Sequence, residues 1–375
     1  VSAEEIIRDQ KIRNREKFLN LSNSMYLLSK ILIMFSLSAI QTFTFVLVGN
    51  SILGIEGMHF DYWLVLFSTA CFANTLGLNI SASFNSAVTI YILIPFLVIP
   101  QLIFSGVIVK FDKLNPTISS RTVVPVIGEM MTARWAFEAL SVQQFVNNKF
   151  EQAIYPYDKE LKKADYRKIY WVPKMKAKVG KIQNMLEKED RDEQDFVSSL
   201  TLLRNEIAIQ NELTKKIQFD RMEELNAVEV NSDLLYDLMD YLDRLKNFYI
   251  KVYNYTTDQR DVVMSKLNKK YKGEGGFIAL KRQYHNESLR DLVTNKLELD
   301  VNIEMDGRLI QQTDPIYRDG MAFRSHFFAP TKVFFGEVLP TFWANVMVIW
   351  IMTLTMIATL YLDLLKKILR MFGQR

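Results

Sequence analysis

Side chains able to do chemistry are sparse in this 375-residue chain and poorly placed for it. Its three histidines, His59, His285 and His326, lie far apart with no ligand spacing, so no metal site is suggested. Cys71 is the single cysteine and has no partner for a disulfide or a redox pair. Gly273-Glu274-Gly275-Gly276 lacks the Gly-Lys-Ser/Thr ending and the preceding strand of a phosphate-binding loop, and reads as a turn. No nucleophile elbow or His-Glu-x-x-His occurs. What remains is polar without being catalytic. Gln41, Asn74, Asn79, Asn85 and Gln101 stand in apolar surroundings, where amides either bond neighbouring helices or line a solute path. Arg134 and Glu138 are four apart and can pair on one helical face.

The elements that hold these residues follow from where charge is missing. Overall 49% of the chain is hydrophobic and 23% charged, but the charges are segregated. Ile31–Ile55, Tyr62–Val109 and Val338–Leu362 contain no Asp, Glu, Lys or Arg. About 20 apolar helical residues cross a bilayer, so these runs hold one, two and one spans. The expected fold is an all-α membrane protein with four transmembrane helices, near 26–49, 62–80, 88–109 and 335–362. The turn inside the long run falls at Asn79–Asn85. Pro95 and Pro100 each remove a helical hydrogen bond, so the third span should be bent or broken and packed inside a bundle. No ionisable residue lies deep in any span, which argues against a proton relay.

Residues 1–25 read as an amphipathic basic helix, with Lys30 snorkelling at the start of the first span, and 363–375 as a basic tail. The connection at 50–61 carries Glu56 and Asp61 but no Lys or Arg. The positive-inside rule therefore places both termini in the cytoplasm and the connection outside. Residues 110–150 are expected as outer interfacial or re-entrant helices, including a helix over Val126–Phe145. Residues 151–330 follow as a large extracytoplasmic α-helical insertion, helical throughout 158–306. Leucines at three- and four-residue spacing predict a hairpin of helices over 196–217 and 234–252, broken at Asn231-Ser232-Asp233, with a third helix from about 277. Lys159–Lys181 is basic and Glu187–Asp243 acidic, a pattern that most often means mutual pairing or solvation.

Several motifs resemble one family in order and spacing. Leu102–Leu114 (LIFSGVIVKFDKL), followed by Ala133–Phe145 (ARWAFEALSVQQF), resembles the end of the fifth helix and the outer helices of G-subfamily ABC exporters, which are type-2 exporters. Arg15-Glu16 followed by Ser24–Lys30 (SMYLLSK) is similar to the segment linking their second and third helices. The resemblance covers about 1–150 and 331–370 and is closest to large bacterial cassette–permease fusion proteins. It implies the third to sixth helices of a six-helix exporter domain, a homodimer in the cell (inner) membrane, and a nucleotide-binding domain upstream on a longer polypeptide. ATP and Mg would be bound in that domain, none in this chain; membrane lipid is a partner and nucleic acid is not. Carried over by position, Val98, Leu102 and Phe104 line the substrate path. Gly106, Val107 and Ile108 form the outer gate, Arg15 and Glu16 couple to the nucleotide-binding domain, and Arg134, Trp135 and Glu138 belong to the outer helix motif. The implied function is ATP-driven export of lipids or other amphiphiles by alternating access. The alternative is a non-transporting membrane scaffold whose outer helical domain docks a partner protein.

Overall fold

In the computed structural model, residues 2–16, 22–84, 86–115, 117, 120–188, 190–271 and 276–373 are described. The chain runs through α1 (Ser2–Glu16), α2 (Asn23–Leu53), α3 (His59–Ser83), α4 (Ala87–Ile103), the one-turn α5 (Val126–Glu129) and α6 (Thr132–Val146). It continues through α7 (Tyr155–Tyr166), α8 (Val172–Leu186), α9 (Glu193–Leu213), α10 (Ser232–Lys270), α11 (Gly276–Tyr284), α12 (Glu287–Val293) and the hairpin β1 (Asn302–Met305)–β2 (Arg308–Gln311). The hairpin β3 (Thr331–Phe334)–β4 (Glu337–Pro340), α13 (Thr341–Tyr361) and α14 (Leu364–Gly373) complete it. Two compact units result, one of residues 1–149 with 319–375 and the other of residues 150–318.

In the first unit, α2, α3 and α13 are long and apolar enough to cross a membrane. The fourth expected span is shorter. α4 has 17 residues and stops at Ile103 rather than near 109, because Ser105 and Gly106 turn the chain. It runs through Pro95 and Pro100 without interruption, and Ile90 is its only buried residue, so this chain does not enclose it as a bundle helix. α3 continues to Ser83, which confines the turn to 84–86; Asn85 lies outside the described residues. The last span begins at Thr341, not 335, since 335–340 belong to the β3–β4 hairpin.

Trp135, Ala136 and Ala139 of α6 pack with Val65 and Phe72 of α3 and with Phe342, Val346 and Ile349 of α13. Nine of the 15 residues of α6 are buried, so it is not a surface helix. Met130 and Met131 separate it from α5, where one continuous helix was expected. The start of α2 and the ends of α3 and α13 meet at α1, where Ile6 packs with Leu27, Ile31, Leu78 and Leu360. At the opposite end, the Tyr62 hydroxyl donates to Gln144 Oε1 at 2.6 Å and Gln143 Nε2 donates to Asp61 Oδ2 at 3.1 Å.

The second unit is a helical bundle with its own core. Val172, Met175, Val179 and Ile182 of α8 are packed with Phe196, Leu203 and Ile207 of α9 and Leu234, Leu238 and Leu245 of α10. The two leucine-patterned helices are present, and Asn231 caps α10 by accepting from Leu234 N at 2.9 Å. They are not a simple hairpin, however. α8 packs against both, and α7 runs along α10. The basic and acidic segments pair as charge patterning suggested, Lys181 with Asp195 at 2.6 Å and Lys176 with Asp243 at 2.5 Å.

Residues 302–311 form a strand pair instead of continuing the helix. Asp306 and Gly307 both take positive φ (51° and 65°), the backbone of a two-residue hairpin turn. Glu206 of α9 secures this hairpin, accepting from Leu309 N at 3.0 Å and from the indole N–H of Trp171 at 2.6 Å. Trp171 ends a π-helical segment, Arg167–Trp171, between α7 and α8.

Candidate functional site

α6 carries a charged cluster sealed inside the first unit. Arg134 and Glu138 do pair, Nη1 to Oε2 at 3.0 Å, and are 1% and 0% exposed. The same Glu138 Oε2 accepts from Lys332 Nζ at 2.6 Å and from Asn345 Nδ2 at 2.8 Å, while Oε1 accepts from Phe328 N at 3.2 Å. Arg134 Nη2 also stands 2.7 Å from Glu129 Oε1, so two cations face two carboxylates. The Trp135 ring lies beneath both cations, 3.7 Å from the Arg134 guanidinium carbon and 4.5 Å from Lys332 Nζ, and its N–H is taken by Glu129 O at 2.8 Å. Burial pushes the Lys332 ammonium below its usual range, and the Glu138 carboxylate opposes that shift. One carboxylate thus ties α6 to β3, to the 328 loop and to α13. Buried ions survive only when paired and hydrogen-bonded in this way. The cluster is a clamp between helices.

The turn after α4 is built around Gly106. Its φ is +80°, and a Cβ there would stand 2.8 Å from the Phe327 ring and 2.9 Å from the Phe111 ring. Those rings meet edge-to-face with centroids 5.1 Å apart, so no side chain fits at 106. Ser105 Oγ donates to Leu102 O at 2.7 Å and accepts from Val107 N at 3.2 Å, which fixes the chain on both sides of the glycine. Val107 and Ile108 emerge from the turn 51% and 65% exposed, and Val98 and Leu102 on α4 are about as open, at 47% and 50%. Phe104 is half-buried. Within this chain, four of the six positions assigned to the path and gate, Val98, Leu102, Val107 and Ile108, form an uncovered apolar surface, while Gly106 is enclosed by the two rings.

Three of the five intramembrane amides bond neighbouring elements. Asn74 Nδ2 donates to Ser38 Oγ at 2.6 Å, joining α3 to α2. Asn79 Nδ2 donates to Met356 O at 2.8 Å and its Oδ1 accepts from Thr359 at 3.0 Å, joining α3 to α13. Gln101 Oε1 accepts from Ala133 N at 3.1 Å, joining α4 to α6. Gln41 instead faces outward on α2 with Thr44, Phe45 and Val48.

α1 is fastened to the membrane helices by Lys30 and by Ser81, Glu5 and Asp9, which sequence reading did not single out. Ser81 Oγ of α3 accepts from Ile6 N at 3.0 Å and Ile7 N at 3.1 Å. Lys30 pairs with Glu5 at 2.8 Å and Asp9 at 2.7 Å. Burial pushes the Asp9 carboxyl up, but hydrogen bonds from Lys30 and Tyr26 outweigh it and hold the group below the usual carboxylate range. Arg15 lies exposed in the last turn of α1, and Glu16 ends the helix.

Residues 2–145 match the model of the ABC-2 type transporter family. That stretch runs from α1 through α6 and includes Arg15, the path and gate positions, and three of the four charged members of the clamp. No curated protein and no solved structure is detectably similar to the chain.

Proposed function

From the premise that residues 2–145 belong to a type-2 ABC transporter membrane domain, we propose that this permease component exports lipids or other amphiphiles by ATP-driven alternating access. ABC-2 membrane domains generally work with a nucleotide-binding component. In this reading that component lies upstream on the same polypeptide, binds ATP and Mg, and pushes on α1. Two copies face each other, and the open apolar surface of α4 with Val107 and Ile108 closes against its mate. The observation that carries the reading is the family match across α1–α6. The docking of α1 supports the coupling step: a helix pinned through Ser81, Glu5 and Asp9 passes displacement to α2 and α3 together.

Coupling is tested in proteoliposomes containing the full transporter and a fluorescent phospholipid. Reversing both charges, Arg15→Glu with Glu16→Arg, should leave ATP hydrolysis near its normal rate while export falls by about tenfold, the scale of a typical coupling free energy. Unchanged export in the double variant would remove these residues from the coupling path.

The same reading sets α1 and α14 in the cytoplasm and the second unit outside the inner membrane. Basic residues before α2 and after α13 favour this orientation. Cysteines introduced at Val228, which is 93% exposed, and at Lys367, each in a Cys71→Ala background, report it. An impermeant thiol reagent should label 228 in intact cells and 367 only after lysis. The reverse pattern would overturn the orientation.

A further inference from the structure

α13 ends at Tyr361, and the chain does not run on as one helix. Asp363 takes a φ of 49°, a left-handed residue that stops one helix and lets the next leave at a new angle. α14 starts at Leu364. At 1.5 Å per residue, the 21 residues of α13 span about 31 Å, the thickness of a hydrocarbon core. Tyr361 therefore reaches the bilayer boundary, where tyrosines concentrate, and α14 begins three residues later.

The sequence of α14, LLKKILRMFG, separates cleanly into two faces. At about 100° per residue, Leu364, Leu365, Ile368, Leu369 and Met371 share an arc of roughly 160°. Lys366, Lys367 and Arg370 occupy the opposite side, and the helix contains no acidic residue. Most of the apolar arc is open within the chain: Leu364, Ile368 and Met371 are exposed by 37%, 48% and 76%, while Leu365 and Leu369 are half-buried on a helix that also meets α3. An open apolar stripe, a three-cation stripe behind it and a start at the bilayer boundary match an in-plane interfacial helix. We propose that α14 lies along the bilayer surface with its apolar arc among the acyl chains, and that Lys366, Lys367 and Arg370 bind anionic lipid headgroups. The charge complement selects lipid over a protein partner: cations flanking an apolar strip match phosphates above acyl chains. Only the crossing of the bilayer by α13 is required, whatever solute is moved.

The test uses the full chain, Cys71→Ala with Met371→Cys, labelled with an environment-sensitive fluorophore. It is reconstituted in vesicles of phosphatidylcholine alone or with about 30% phosphatidylglycerol. In the anionic vesicles, a quencher carried on shallow lipid positions should quench the probe strongly. Aqueous iodide should quench it about fivefold less than in neutral vesicles, the effect of roughly one well-placed basic residue. Lys366→Gln, Lys367→Gln and Arg370→Gln together should abolish the difference between the two vesicles. Raising salt to about 1 M, which shortens the screening length to about 3 Å, should do the same without any further substitution. Equal iodide quenching in both vesicles would overturn the proposal. So would a probe shielded from iodide and from the lipid-borne quencher alike, which would place α14 against protein.

Discussion

Replacing Glu138 with Ala should destabilise the membrane unit by about 3–5 kcal/mol, the usual cost of breaking a buried ion pair from one side. The carboxylate is 0% exposed and holds Lys332, Arg134, Asn345 and Phe328 N at once. Its loss leaves Lys332 a buried cation without its ion-pair partner, with the Trp135 face beside it and only Glu129, already paired to Arg134, to offset its charge. Thermal unfolding in detergent should therefore drop sharply for Glu138→Ala, and almost as far for the isosteric Glu138→Gln. Removing both charges, Glu138→Leu with Lys332→Met, leaves the Arg134–Glu129 pair balanced and should recover most of the loss. Non-additivity of the two changes is the diagnostic outcome. If the double variant is as unstable as the two singles summed, the cluster is not an electrostatic clamp.

Val107→Ala with Ile108→Ala should make the transporter leak or hydrolyse ATP faster at rest, with little change in thermal stability. The pair loses about five methyl or methylene groups, roughly 4 kcal/mol of apolar contact if all are covered in the closed state. That is enough to reverse an open–closed balance that typically spans a few kcal/mol. Both side chains are more than half exposed in the single chain, so truncating them removes little of its own packing. A variant with lower stability but unaltered leakage and basal hydrolysis would mark them as packing residues and take the gate away from this turn.

Which parts of this architecture show in the sequence follows from what each residue pattern encodes. Stretches without charge located α2, α3 and α13 because the cost of burying an ion in hydrocarbon leaves a direct mark on composition. The ends of those stretches were less legible. The charge-free run ahead of α13 includes Val338, Leu339 and Pro340, which are strand rather than span, and only the Phe335-Gly336 turn marks the difference. Asp306-Gly307 was a comparable hairpin signal inside a region that otherwise reads as helix. Periodicity found the buried faces of α9 and α10 but not the helix that covers them, since spacing says which side is apolar and nothing about what it meets. Arg134 and Glu138 could be paired from their four-residue separation. Lys332 and Asn345 could not, because they stand 194 and 207 residues from Glu138 in the sequence, beyond the reach of any local spacing rule. Gly106 stood out only as a gate position implied by the resemblance; the rings of Phe111 and Phe327 that make glycine obligatory there were not legible.

The separation of Glu138 from Lys332 by 194 residues sets a clock on synthesis. At about 5–20 residues per second, a ribosome takes roughly 10–40 s to travel from one to the other. Throughout that interval Arg134, Glu129 and Glu138 have been made, while Lys332 and α13, which packs on the apolar side of α6, have not. The intervening residues 150–318 have a core of their own and can fold while the membrane unit waits. The clamp can close only after that interval, and slowing translation within 150–318 lengthens it without altering a single residue of the finished protein.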